Sequence, residues 1–182
     1  VRFADADGYS DTSGYPYTIS AKAGNVQPGD TTDRIYAIAM DIGTTTIYGQ
    51  LIDLKSGEVL SENGAFNGQI SYGEDVISRI VFAEKADGLE RLHQVVAGTI
   101  NGIIEKIVGR AKVDPDDIAA ITLAGNTTMT QLMLAVNPRY IRRSPYVPAA
   151  TIYPPTDTTR TSRPRLSDRN CCSTSCAFGL LA

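Results

Sequence analysis

Asp41-Ile42-Gly43-Thr44-Thr45-Thr46, preceded by the apolar run Ile35-Tyr36-Ala37-Ile38-Ala39-Met40, decides the fold of this 182-residue chain. A short, nearly continuous apolar run suits a strand buried on both faces. Gly43 permits a sharp reversal, and Ile47 to Leu54 then reads as a second strand centred on Leu51-Ile52. Lys55-Ser56-Gly57-Glu58 has the composition of a hairpin turn, and Val59 to Phe66 follows as a third strand.

Downstream the period changes from strand to helix. Val76, Ile77, Ile80, Val81 and Ala83 are expected to share one helix face. After a break at Asp87-Gly88, Leu89, Leu92, Val96, Ile100, Ile103 and Ile107 recur at three- and four-residue spacing. Asp114-Pro115-Asp116-Asp117 reads as a loop and Ile118 to Leu123 as another strand. Thr127 to Val136 is again helical until Asn137-Pro138 stops it. The expected order is β-β-β-α-α-β-α, an α/β fold with a mixed sheet.

The turn itself carries chemistry. Gly43 lets the backbone approach a ligand without a side-chain obstacle, and successive N–H groups in such a turn can form an anion-binding concavity. The hydroxyls of Thr44, Thr45 and Thr46 add donors. Asp41 would face the same phosphates, which is sensible when Mg²⁺ lies between them, since that ion takes one or two carboxylates, waters and phosphate oxygens. These features predict a Mg²⁺–nucleotide site with Asp41 as metal ligand through water and as a catalytic candidate. The plain alternative is a β-hairpin with a glycine turn and β-branched residues. Its place in a three-strand meander followed by helices resembles the position of the phosphate turn in the actin-like ATPase fold, and that resemblance favours the phosphate reading.

Composition sets the outer limits. The chain is 42% hydrophobic and 20% charged, the balance of a globular protein with a packed core. A formal charge of −3 offers no broad basic field for nucleic acid or an anionic membrane. The expected location is cytoplasmic, since no apolar run is long enough to span a bilayer and the N-terminus carries Asp5, Asp7 and Asp11. Residues 1–33 read as a linker or the end of a preceding domain, and 34–150 as the lobe itself. The segment 151–182 reads as a disordered or aberrant tail, rich in Thr, Ser, Pro and Arg, without Lys or Glu. Cys171, Cys172 and Cys176 lack a fourth ligand and a familiar metal spacing. A start at Val1 and the change of texture after Ala150 carry the expectation of a fragment.

Four stretches together carry a family resemblance: Pro28-Gly29-Asp30-Thr31-Thr32-Asp33-Arg34, Ala39-Met40-Asp41-Ile42-Gly43-Thr44-Thr45-Thr46, Tyr72-Gly73-Glu74-Asp75-Val76-Ile77-Ser78-Arg79-Ile80 and Ala124-Gly125-Asn126-Thr127-Thr128-Met129. From about Val26 to Pro148 the chain resembles the ATPase domain of the reductive activators of corrinoid proteins. The resemblance implies the first lobe of an actin, sugar-kinase and Hsp70-like domain. It also implies ATP hydrolysis coupled to reduction of cob(II)alamin to the cob(I) state in a corrinoid methyl carrier. An iron–sulfur cluster belongs to a preceding domain in that family, and no cysteine cluster precedes the lobe here. No second phosphate turn or glycine-rich adenosine loop follows Ala150 either, so the chain is expected to supply one wall of the ATP site.

The remaining candidates are placed by the same reading. Asn126, Thr127 and Thr128 follow a buried strand and are expected at its carboxyl end, where open α/β sheets hold ligands. Asn126 is a catalytic candidate and Thr127 and Thr128 are nucleotide contacts; an ordinary helix cap is the competing explanation. Gln69, Tyr72, Glu74 and Asp75 occupy a loop and a first helical turn, with Glu74 and Asp75 as cleft candidates. His93 falls outside the apolar stripe and is expected in solvent, and Arg139, Arg142 and Arg143 read as a surface loop. The rival activities are a small-molecule kinase of the sugar- or acetate-kinase type and a non-catalytic remnant. Half of a two-lobe fold would expose an apolar face and associate, for instance as a homodimer.

Overall fold

Alternation fixes the sheet. The computed structural model describes residues 34–150 and two short strands at 156–157 and 175–179. The expectations for 1–33 and for the rest of the tail, Cys171 and Cys172 included, lie outside the described residues. Strands β1 (Tyr36–Ile42), β2 (Thr46–Asp53) and β3 (Val59–Phe66) form an antiparallel meander, and β4 (Ile118–Gly125) lies parallel to β1 on its other side. Ile38, Met40 and Ile42 of β1 and Ile47 and Leu51 of β2 turn inward, while Ala39, Asp41, Tyr48 and Gln50 occupy the opposite face. The sheet order is β3-β2-β1-β4-β6-β5, with β5 (Thr156–Asp157) antiparallel to β6 (Ser175–Gly179). Sequence reading does not anticipate β6, whose backbone pairs in parallel with β4 from Ala120 to Ala124.

The helices α1 (Val76–Ala83), α2 (Gly88–Ala111) and α3 (Thr127–Met133) pack with the inward residues of the sheet. Leu92, Val96, Ile100, Ile103 and Ile107 of α2 are buried as their spacing predicts, joined by Ile104 and Val108. Each such side chain contributes roughly 1.5–3 kcal/mol by leaving water. Close approach of α2 to the sheet depends on Gly49, where an added Cβ would lie 3.1 Å from Ile103 Cγ2 and 3.2 Å from Met40 Cε.

Helix α1 departs from the expected face. Ile80 and Ala83 are buried, but Ile77 and Val81 stand in solvent, and Arg79 takes an interior place at 0% exposure. Arg79 sits one step from Ile80, on the stripe that continues from Val76 to Ala83, and it finds polar acceptors inside. His93 is a second correction: it is only 7% exposed, because its Nδ1 lies 2.6 Å from the carbonyl oxygen of Met133 and ties α2 to the end of α3. Asp114 to Asp117 forms a short 3-10 turn from Pro115 instead of an irregular loop.

The face opposite the helices carries no described helix. Ala37, Ala39, Asp41, Gln50, Ile52, Glu62 and Thr122 lie on it, with Tyr48 and the 77%-exposed Phe66 as large rings. The Tyr48 hydroxyl and the Gln50 amide hold the Glu62 carboxyl below the ordinary carboxylate range, and Glu62 in turn raises Tyr48.

Candidate phosphate site

Parallel pairing of β1 with β4 brings two carboxyl ends together: Asp41 lies opposite Ala124 and Ile42 opposite Gly125. The Gly43 turn therefore emerges beside Asn126. Asn126 Nδ2 donates to Thr44 Oγ1 at 3.2 Å, and Asn126 Oδ1 accepts from the Met129 N–H at 3.0 Å. Its amide is engaged on both sides, so Asn126 joins the turn to α3 and caps that helix. Replacing Asn126 with alanine is expected to cost about 1 kcal/mol in thermal or urea unfolding, the typical loss of such a cap.

Asp41, the residue before the last of β1, has its side chain exposed on the open face, level with Tyr48 across the meander. Thr45 and Thr46 are exposed and Thr44 is half-buried. Thr127 is half-buried at the start of α3, whereas Thr128 is 3% exposed, so its hydroxyl is withdrawn from the cleft. Gly43 is required sterically: a Cβ there would collide with the carbonyl oxygen of Thr46.

A buried polar cluster underlies this turn. Asn67 Nδ2 donates to the Gly43 carbonyl at 2.9 Å, Arg79 Nη2 donates to the Thr44 carbonyl at 2.6 Å, and the Asn67 N–H donates to the Thr45 carbonyl at 2.8 Å. Three successive carbonyls are thus drawn to the segment between Asn67 and Arg79. Because C=O and N–H point oppositely across a planar trans peptide, the N–H groups of Thr44 and Thr45 are turned away from those partners. Gln69, fully buried, completes the cluster by accepting from Arg79 Nη1 at 3.3 Å and donating to the Leu92 carbonyl at 3.0 Å.

The other candidates have structural work. Asp75 caps α1, accepting from the Ser78 N–H at 2.7 Å, and the Ser78 backbone and hydroxyl bonds lower its pKa. Glu74 is exposed. Tyr72 accepts from Arg91 Nε at 2.9 Å. Arg142 and Arg143 both reach Glu84, at 2.6 and 2.9 Å, and fasten the following loop to the end of α1. Among the described residues, no group of three or more His, Cys, Asp and Glu side chains could hold a metal ion, and no helix is long and apolar enough to cross a membrane.

A family model described as the RACo middle region matches residues 36–165. The chain belongs to this family. The RACo middle match extends beyond Pro148, where the motif resemblance was expected to end. A curated relative, the corrinoid activation enzyme RamQ of Eubacterium limosum, is 39% identical over 114 residues, covering 62% of this chain and 19% of RamQ. A solved structure named reductive activator for corrinoid, iron–sulfur protein superposes with a TM-score of 0.74 at 41% identity, covering 82% of this chain and 23% of that one. The chain thus spans about a fifth of the length of these relatives. The mixed sheet and element order agree with the expected α/β lobe of the reductive activators.

The cluster behind the turn was missed in sequence because Asn67 and Arg79 lie 24 and 35 residues from their turn partners. One signal was available: Arg79 interrupts the apolar stripe of α1.

Proposed function

We propose that this chain forms the phosphate-binding wall of a Mg·ATP site in a reductive activator of a corrinoid protein. The single observation that supports it best is the turn from Gly43 to Thr46 at the adjoining carboxyl ends of parallel β1 and β4, tied across the gap by Asn126 and Thr44. Ligands of open α/β sheets collect at such ends.

In this reading the N–H groups of Thr44 and Thr45 and the hydroxyls of Thr45 and Thr46 bind phosphate oxygens. Asp41 fits a Mg²⁺ ion held through water, because its carboxylate is exposed at the foot of the turn. The ion would supply charge neutralisation between phosphate oxygens. Asn126 keeps Thr44 in place and Thr127 borders the opposite wall. The names of the relatives favour a corrinoid protein as partner. ATP hydrolysis then accompanies transfer of one electron to cob(II)alamin, giving the cob(I) state. An iron–sulfur cluster of the kind the resemblance implies would supply that electron, and no group of the described residues would hold it.

The test is ATP turnover by the full-length protein with a corrinoid protein in the cob(II) state, with a sugar, or with acetate. Stimulation by the corrinoid protein alone, lost in Asp41→Asn, is the expected result. Stimulation by a sugar or acetate would instead make the protein a small-molecule kinase.

A further inference from the structure

Arg79 is a fully buried cation whose hydrogen-bond acceptors are all neutral: the carbonyls of Gly73 and Thr44, Gln69 Oε1 and Met129 Sδ. Burial of such a charge carries a large desolvation cost unless an opposite charge or a full set of hydrogen bonds offsets it. The closest acidic group on its own helix, Asp75, acts on it electrostatically but directs its carboxylate to the cap of α1. Burial pulls the guanidinium below its ordinary value, yet an arginine keeps its proton in proteins. The positive charge therefore persists beneath the turn, one hydrogen bond from the Thr44–Thr45 peptide.

Two consequences follow from that placement. The fork orients the peptide: Nη2 takes the Thr44 carbonyl while Nε takes the Gly73 carbonyl at 2.8 Å, so the Thr45 N–H is directed away from Arg79. The charge also polarises the same peptide, making its N–H a better donor to an anion on the far side. A fixed guanidinium matches two acceptors at once, which a lysine ammonium on a flexible stem does not.

We propose that Arg79 is a positioning residue of the phosphate site: through the Thr44 carbonyl it aims and strengthens the Thr45 N–H toward the bound phosphate, without touching the ligand. This rests on the reading of the turn as a nucleotide site. Nothing in the proposal requires Arg79 to be accessible, and its complete burial separates it from an arginine that contacts phosphate directly.

The experiment is Mg·ATP calorimetry on the full chain as wild type, Arg79→Met and Arg79→Lys, with thermal unfolding and the Thr45 amide ¹⁵N resonance recorded for each. Loss of a charge-assisted bond is expected to weaken Mg·ATP binding about tenfold in Arg79→Met. Arg79→Lys should fall between it and wild type, and the Thr45 nitrogen should shift in both variants before any ligand is added. A purely structural role would lower the melting temperature while leaving the affinity of the folded protein unmoved. Wild-type affinity in a folded Arg79→Met, or in Arg79→Lys with an unshifted Thr45 resonance where the methionine variant does not fold, overturns the proposal alone. Absence of Mg·ATP binding by wild type overturns the nucleotide reading and this proposal with it.

Discussion

Gly43→Val is expected to weaken Mg·ATP binding by about a hundredfold or more, equivalent to ~3 kcal/mol. The cause is steric and local. Any side chain at this position drives a Cβ into the Thr46 carbonyl oxygen, and the obstacle is backbone that β2 holds in register with β1 and β3. Relief requires the turn to open, which moves the Thr44 and Thr45 peptides off the bonds from Asn67 and Arg79. The β1–β2 ladder from Tyr36 to Ile42 lies before the turn and should persist. Far-UV circular dichroism should therefore be near wild type while calorimetry records the weakened binding of Mg·ATP. Retained affinity with an intact sheet would show that this turn does not cradle phosphate.

Asn67→Leu should produce the larger loss of stability, about 3 kcal/mol in urea denaturation. Asn67 is fully buried; its Nδ2 satisfies the Gly43 carbonyl at 2.9 Å and its Oδ1 satisfies the Gln69 N–H at 3.0 Å. Leucine preserves volume but leaves a part-buried acceptor and a buried donor unpaired, the loss of a buried partner costing about 1–3 kcal/mol. The backbone N–H of Asn67 still reaches the Thr45 carbonyl, so the turn loosens on one side only. Nucleotide affinity is expected to fall less than in Gly43→Val. A change below about 1 kcal/mol would indicate that water replaces the side chain and that the cluster is not sealed.

The strands were legible because short apolar runs end at recognisable turns, although β1 was expected to be buried on both faces and only Ile38, Met40 and Ile42 are buried, with Asp41 exposed. Val59 to Phe66 has the bounds expected, and Ile103 and Ile107 lie where helical spacing puts them. The turn of the candidate site was legible for the same reason: Gly43 and three threonines are contiguous. What sequence order conceals is contact between distant residues. Helical spacing correctly marked Ile80 and Ala83, with Val76 half-buried beside them, but it assigned Ile77 and Val81 to a buried face that Arg79 takes instead. His93 was misplaced because it falls outside the apolar stripe, whereas a carbonyl at the end of α3 supplies an interior partner. Pairing of Ser175–Gly179 with β4 had no signal, since the stretch is short and surrounded by a composition unlike that of the lobe.

Asn126 was expected at the carboxyl end of β4, and it is there. Its amide bonds to Thr44 and Met129 tie the turn to α3, a link between distant residues that the sequence does not display. Thr128 belongs to the same motif but faces the interior, because the helix that begins at Thr127 rotates successive side chains by about 100°.

The most direct measurement is a titration of the isotopically labelled full chain with Mg·ATP, following the backbone amide resonances of Thr44, Thr45 and Thr46. A Mg²⁺ nucleotide site at this turn predicts saturable shifts largest at Thr44 and Thr45, dependent on Mg²⁺ and abolished in Gly43→Val. Unmoved turn resonances at millimolar Mg·ATP, or shifts confined to another part of the lobe, would contradict it.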